Sequence, residues 1–574
     1  MEILGSAISP TSRIGGDSRH RGALVSAVAA GAAAIGAHAL HYGHWIADDA
    51  GITFAYARSI DDGHGPVLQP DADEVEGYSN PAWLFLHVLG RALGLFDRGN
   101  LLGIPDYVLF PKAVAWLCCL GTLIACAVAA RRVFRRAWLP TAGVGLALAA
   151  NPSYVIWCFS GLENSLFAMT VCWLAVLLFV AALDGRLLTG RVACWAGALA
   201  AVAMLTRPDG AIYVLAYPLV LAICARSAPP GARFWAALLS CRVFALPVVV
   251  YLAWRLTVFG EWLPNTATAK VQDFPELGDL LRIGELVEYA GLPVTLAAGL
   301  LLVHALIRGT SWQRGLFVLL VMLSLGLTAF VVLEGDWMAL LRFATPIWVV
   351  ATIAVVFLLA ELARVLSRRQ VVAMSAIGVL VVAHTASGFV TAATSFARFP
   401  TVPLCYVASR FGLTVNTYAG IIGAEHATFL APDLGGTALT SRLELIDMAG
   451  LAHEEVAGRI AAADMAGLRD DVFERWKPTF IHSRGDWAMG NGITSDPRMN
   501  RDYHFVFDYR DPILPNGDWV RKDSVPSAAA LAVLRRYAGE VVVERDAWQR
   551  QRPLAACGPR LRPGVTETFT PVPP

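Results

Sequence analysis

Long apolar segments recur through the first two thirds of the chain. They lie roughly over 22–42, 107–130, 137–152, 165–184, 192–206, 211–225, 235–258, 285–307, 315–333, 345–366 and 371–391. Inside a bilayer no water satisfies backbone N–H and C=O groups, so segments of this kind are restricted to helices that bond within themselves. The pattern predicts a polytopic α-helical membrane protein with about eleven spans. Charge content agrees, since 16% of residues are Asp, Glu, Lys or Arg against about 25% in a soluble domain. Net charge is +1, which gives no ground for a nucleic-acid partner. Membrane lipids are the expected surroundings.

Basic residues orient the spans. Arg131, Arg132, Arg135 and Arg136 form one cluster, and Arg186 with Arg191, Arg226 with Arg233, Arg308 with Arg314, and Arg364 with Arg368 and Arg369 form others. If these are cytoplasmic, alternation puts "FSGLENS", "TRPDG", "FGEWLPNTATAK" and "EGDWMALLRF" outside, together with everything after 391. Residues 1–21 are polar and Gly/Ser/Arg-rich, expected to be a disordered cytoplasmic terminus. The next apolar run lacks a convincing cleavage site and reads as an anchor. Residues 22–391 then form the membrane domain, with a long first outer loop over 43–106. The stretch 81–96 is short for a crossing, and His87 and Arg91 fall on one helix face. It reads as an interfacial helix on the outer surface. The segments 192–206 and 211–225 are also short. The turn between them carries Arg207 below the outer surface, where a charge points to function or else snorkels or pairs with Asp209.

Residues 392–574 change character. "HATFLAPDLGG", "SRLELIDMAGL" and "KPTFIHS" read as strands, "EEVAGRIAAADMAG" as a helix, and "YHFVFDYRDPILPNGDWVRKD" as strands around Asn516-Gly517. An extracytoplasmic α/β domain is expected, large enough for its own core. Of ten cysteines, eight lie in or beside apolar segments as packing residues. Cys405 and Cys557 remain, in a compartment where disulfides persist. They are candidates for a bridge, with two free thiols as the alternative.

The first outer loop opens with Asp48 and Asp49, in "HWIADDAGITFAYARSIDDGHGP". Two carboxylates where membrane meets water can supply a general base and its partner. The plain alternative is that one of them N-caps the helix of "GITFAYARSI". Other outer-loop charges accumulate on the same side: Glu76, Glu163, Glu334 and Asp336 are acidic, and Arg58, Arg207, Lys270 and Arg342 basic. Trp83, Trp262 and Trp337 can stack on sugar faces or anchor at the interface. An outward-facing enzyme cannot draw on cytoplasmic nucleotide sugars, and a lipid-linked donor solves that problem. The chemistry then needs a base at the interface and cations for a leaving phosphate.

"DDAGITFAYARSIDDGHGPV" followed by "VEGYSNPAW" resembles the first outer loop of bacterial GT-C glycosyltransferases that use polyprenyl-phosphate sugars, including the terminal arabinofuranosyltransferases of cell-wall arabinan. "SGLENSLF", "LTRPDG", "FGEWLPNTATAK", "EGDWMALLRF", "PDLGG" and "IDMAGL" follow in the order expected for that group, covering roughly 45–485. The chain departs from the group at Gln69–Glu74, where Gly-Glu is usual, and at Glu76–Asn80. The resemblance implies an inverting transfer to a glycan, lipid or protein acceptor of the cell envelope, with arabinofuranose the leading sugar. It implies Asp48 as first choice for the base and Asp49 as its partner. It further implies Arg207, Lys270 and Arg342 at the donor phosphate, and Arg58, Glu76, Asn80, Glu163, Asn265, Asp336 and Trp337 at substrate. A divalent cation is compatible, but no ligand spacing demands one. A flippase of lipid-linked sugar and a non-enzymatic envelope assembly protein are the rival classes. The first should show an internal repeat, and none is evident.

Overall fold

The computed structural model describes residues 11–270, 276–333, 335–510 and 515–567. Every apolar segment expected from the sequence is helical. Helix α1 (Thr11–Leu40) is followed by α2 (Asp48–Asp61), α3 (Pro81–Ala92), a small hairpin of β1 (Asn100–Leu101) and β2 (Ile104–Pro105), and α4 (Asp106–Val133). Then come α5 (Trp138–Ala150), α6 (Pro152–Cys158), α7 (Asn164–Leu183), α8 (Gly190–Thr206) and α9 (Ala216–Cys224). The body is completed by α10 (Pro230–Phe259), α11 (Asn265–Ala269), α12 (Ile283–Ala290), α13 (Leu292–Arg308), α14 (Gln313–Val332), α15 (Thr345–Val365) and α16 (Arg368–Arg398).

Among the described residues seven helices are long and apolar enough to cross a membrane, and the pair Leu277–Ala290 with Leu292–Arg308 adds an eighth if its 107° bend is one broken span. The segments counted among the spans at 137–152, 192–206 and 211–225, the last two already short in the sequence, form helices of 10–17 residues, shorter than the roughly 20 needed for a crossing. The expected count of about eleven spans therefore divides, among the described residues, into seven or eight long spans and three short apolar helices. Helix α1 begins at Thr11, within the terminus expected to be disordered, of which residues 1–10 lie outside the described ones. Once 22–40 are helical, each added residue gains a hydrogen bond without a new nucleation step.

Small residues set the closest helix contacts. Helices α1 and α5 cross where a Cβ on Gly31 would lie 3.1 Å from the Cα of Gly145, so neither position tolerates a side chain without displacement. The break between α8 and α9 has the form its sequence suggests. Arg207 is extended (φ −153°, ψ 138°), and Pro208–Leu215 winds as a tight 3-10 helix. Gly210 is required there, since its Cβ would come within 2.3 Å of the Ala203 carbonyl.

Helix α3 has twelve residues, is absent from the crossing helices, and leaves Phe85, Leu89 and Leu93 exposed at i, i+4 spacing. An interfacial helix presents such a stripe. Its opposite face buries His87 and Arg91, and the Arg91 guanidinium pairs with Asp61, Asp62 and Asp97.

After α16 the chain passes through α17 (Leu404–Val407) and α18 (Thr414–Ile422) into a five-stranded sheet. Strand β3 (Thr428–Ala431), then α19 (Gly435–Thr440), β4 (Glu444–Asp447), β5 (Phe480–Ser483), β6 (Tyr503–Asp508) and β7 (Gly517–Arg521) give the order β4-β3-β5-β7-β6. Strand β3 is parallel to β4 and β5, and β7 is antiparallel to β5 and β6. Alternate residues face opposite sides, as the pleat requires. Phe429, Phe480 and Val520 join one core, whereas Leu430, Ile481 and Trp519 join another. Both faces are covered, giving a three-layer α/β domain. Strands β6 and β7 pair as a hairpin, but the turn is not at Asn516-Gly517 as expected: Gly517 opens β7 opposite Asp508, Tyr509 N–H donates to the Asn516 carbonyl at 3.0 Å, and the connection runs through residues 511–514, which lie outside the described ones.

Candidate active site

The start of α2 is gripped from two sides. Asp48 N–H donates to the Val402 carbonyl at 2.9 Å, Ala47 N–H to Ser160 at 2.9 Å, and Leu404 N–H to Ile46 at 2.9 Å. Asp48 and Asp49 occupy the first turn, where the helix dipole favours negative charge. Neither is the N-cap. That position is Ala47, which has no side-chain cap.

The two carboxylates then part company. Asp48 is buried, and its oxygens accept N–H bonds from Gly435 at 3.1 Å and Gly436 at 2.7 Å, in the "PDLGG" turn of the α/β domain. Burial pushes its pKa well up, the neighbouring Asp433 and Asp49 charges add to this, and the two backbone bonds oppose it. Asp433 is itself held by Arg484 at 3.3 Å.

Asp49 turns the other way and keeps 28% of its side chain in solvent. Its Oδ2 lies 3.8 Å from Arg342. Desolvation in this recess raises its pKa, Lys270 and Arg342 pull it down, and Asp336 and Glu163 raise it again. Lys270 makes no hydrogen bond or ion pair among the described residues, and desolvation lowers its pKa against the attraction of Asp49. Arg342 donates a hydrogen bond to Asp336 at 3.1 Å, forms an ion pair with it at 2.8 Å, and lies 4.9 Å from the Phe343 ring. Arg207 bonds Glu163 at 3.1 Å and Asp209 at 2.9 Å, with its guanidinium 4.6 Å from the same Phe343 ring. Asn80 donates to Glu163 at 2.9 Å. The sequence candidates Asp49, Arg207, Lys270, Arg342, Asn80, Glu163 and Asp336 thus come together at one recess. Trp337 is beside it in sequence and 66% exposed. Glu334 lies outside the described residues.

Three other candidates are occupied elsewhere. Arg58 forms a two-pronged pair with Asp97, at 2.7 Å each, and donates to the carbonyls of Leu439 and Leu561 at 2.8 and 2.7 Å. Glu76 is buried against Arg255 at 2.5 Å and bonds Tyr251. Asn265 donates to the carbonyls of Gly450 and Leu451 at 2.7 and 3.1 Å. Each ties the membrane body or its loop together, or to the α/β domain, and has little capacity left for substrate. Trp83 is buried with its indole N–H on the Gly161 carbonyl at 2.9 Å, so it cannot stack on a sugar.

Sequence reasoning missed Gly435, Gly436 and Arg255. "PDLGG" carried a signal, a Gly pair after a strand, but nothing in one dimension names its acceptor. Among the described residues no group of three His, Cys, Asp or Glu side chains can hold a metal ion. The oxygens of Asp48 accept two backbone amides and Asp336 is paired with Arg342, so neither carboxylate is a free donor for a divalent cation. Cys405 and Cys557 are free thiols, and the neighbouring Cys557 thiol together with burial pushes the Cys405 pKa up. The Tyr107 hydroxyl also approaches Cys557 Sγ at 3.8 Å.

No protein-family profile matches this sequence, and no curated protein matches it. Solved structures do. The class they define is the GT-C glycosyltransferase fold, which this chain shares. ArnT from Cupriavidus metallidurans in the apo state is similar over 88% of this chain and 99% of its own, with TM-score 0.55 and 14% identity. ArnT bound to undecaprenyl phosphate matches over 83% and 88%, with TM-score 0.44 and 15% identity. Arabinosyltransferase EmbB from Mycobacterium smegmatis matches over 89% of this chain and 46% of its own, with TM-score 0.39 and 14% identity. What is shared is the fold.

Proposed function

We propose that this protein is an inverting membrane glycosyltransferase that moves a sugar from a polyprenyl-phosphate donor to a hydroxyl acceptor. One observation carries the reading: a solvent-reached carboxylate, Asp49, faces the cations Lys270 and Arg342 across one recess. Displacement of a phosphate by a hydroxyl needs a base for the hydroxyl and cations for the leaving phosphate at one site. The acceptor O–H gives its proton to Asp49 as its oxygen bonds the anomeric carbon. The bond from that carbon to the phosphate oxygen breaks on the opposite face, and polyprenyl phosphate leaves with the electron pair. Lys270 and Arg342 take up its charge, and Arg can do so with two parallel hydrogen bonds.

The role of base falls to Asp49 instead of Asp48, the residue favoured by sequence, because both oxygens of Asp48 already accept backbone hydrogen bonds. Arg207, held by two carboxylates, braces Glu163 beside the recess. The finer reading is arabinofuranose transfer to a cell-envelope acceptor on the outer face, with the α/β domain extracytoplasmic. It is supported by the loop motifs and by the separation of the basic loops from the site. The test supplies purified protein with a panel of polyprenyl-phosphate sugars and mixed acceptors. Product should form with wild type and fall at least about a hundredfold in Asp49→Asn, the scale of lost acid–base help. Movement of donor lipid between leaflets without any new glycosidic bond would refute the enzyme in favour of a flippase.

A further inference from the structure

At the opposite end of the bundle from the candidate active site, the basic loops gather. Arg132 at the end of α4 pairs with Asp184 after α7, and Arg364 near the end of α15 bonds the Val133 carbonyl at 3.3 Å. Between α1, α4, α5 and α15 this end contains a cavity of about 1240 Å³. That exceeds the roughly 300–1,000 Å³ of most small-molecule sites. Its wall is apolar, including Leu139 of α5 and Leu359 of α15, which are 48% and 49% exposed. Its rim is cationic, with His20, Arg135, Arg136 and Arg364.

The rim cations differ in availability. Arg364 is engaged by Glu361 at 3.0 Å and lies 4.5 Å from the Phe134 ring. Arg135 and Arg136 are exposed, and their side chains make no hydrogen bond or ion pair among the described residues. Two adjacent unpaired guanidinium groups over an apolar cleft match a phosphate joined to acyl chains. The apolar wall accepts the chains, and the planar forks accept phosphate oxygens. A zwitterionic headgroup brings its own cation and leaves the rim charge uncompensated.

We propose that this cavity binds one anionic phospholipid, with its phosphate on Arg135 and Arg136 and an acyl chain along Leu139 and Leu359. The site lies apart from the transfer chemistry and does not rest on it.

The test uses the full-length protein in detergent, titrated with phosphatidylglycerol and phosphatidylcholine of equal chain length and followed by native mass spectrometry. One phosphatidylglycerol should be retained in preference to phosphatidylcholine. Each near-surface cation contributes about fivefold, so R135Q/R136Q should weaken retention about thirtyfold. Leu359→Trp, which narrows the cavity and keeps both arginines, should weaken it as well. Equal retention of the two lipids, or unchanged retention in R135Q/R136Q, would overturn the proposal. So would unchanged retention in Leu359→Trp, which would place the lipid on surface charge outside the cavity. Displacement by inorganic phosphate at the lipid's own concentration would assign the rim to a free anion and likewise overturn it.

Discussion

Replacing Asp48 with Asn exchanges one carboxylate oxygen for an NH2 group that faces a backbone N–H. Both oxygens of Asp48 meet donors, Gly435 at 3.1 Å and Gly436 at 2.7 Å, and only the ionised acid matches two donors at once. A hydrogen bond to a charged group contributes about 1.5–3 kcal/mol. Against that loss, the neutral amide removes the burial penalty and the repulsion by Asp433 that push the Asp48 pKa up. The net expectation is about 1–2 kcal/mol, or roughly 5–30-fold in the equilibrium that docks the α/β domain on the first loop. Hydrogen exchange should rise at Gly435 and Gly436 in Asp48→Asn and stay at the wild-type level in Asp49→Asn. Transfer should fall less than about tenfold in the first variant and at least about a hundredfold in the second. If Asp48→Asn instead loses a hundredfold while exchange at Gly435 and Gly436 is unchanged, Asp48 is the base and the division of labour argued above is wrong.

Other outcomes follow from the same geometry. Asp49 must be ionised to take a proton, and its pKa is raised, so kcat/KM should fall on the acid side at a pH above the ordinary carboxylate range. Lys270 lowers that pKa, so Lys270→Met should move the acid limb further up in the pH–rate profile; an unmoved limb would detach the limb from Asp49. In the α/β domain burial would raise Asp518, but Arg410 and His482 override it and hold the carboxyl below its usual range, through contacts of 2.9 and 2.7 Å. Asp518→Ala leaves Arg410 buried and unpaired and should cost about 3–5 kcal/mol in thermal or denaturant unfolding of that domain. A change under about 1 kcal/mol would refute this account of the cluster. Mild oxidation should join Cys405 to Cys557, closing a loop of about 150 residues and adding at most about 5 kcal/mol; full alkylation of both thiols after oxidant treatment would exclude it.

The helical body was legible because apolar runs report burial in lipid wherever they fall. Helix α3 was legible from its length and from the pairing of His87 with Arg91 on one face. The strands at Phe429, Leu445 and Phe480 could be read from short apolar runs ended by turns. The number of crossings could not, because Gly291 (φ +91°) bends one segment and Pro208 tightens another without changing local hydropathy. The gathering of Asp49, Lys270 and Arg342 was visible as charge accumulating on one side. Which charges are free to act was not visible. Arg58 and Asp97 are 39 residues apart, Glu76 and Arg255 179, and Asp48 and Gly435 387. Partners that distant are fixed only by packing, so a sequence shows a loop charge and not whether it is already answered.

The hold of Gly435 and Gly436 on Asp48 also bears on the order in which the protein matures. Asp48 leaves the ribosome among the first residues, and its partners emerge hundreds of residues later. Until the α/β domain folds, the mouth of the membrane body carries a carboxylate without its two amides. The proposed catalytic recess is therefore finished by a late part of the chain, and a membrane body released early should insert without gaining activity. Truncation after residue 400 tests this timing: the fragment should reach the membrane, show no transfer, and regain some when the α/β domain is supplied separately. Full activity in the fragment alone would mean that maturation does not wait for the second domain.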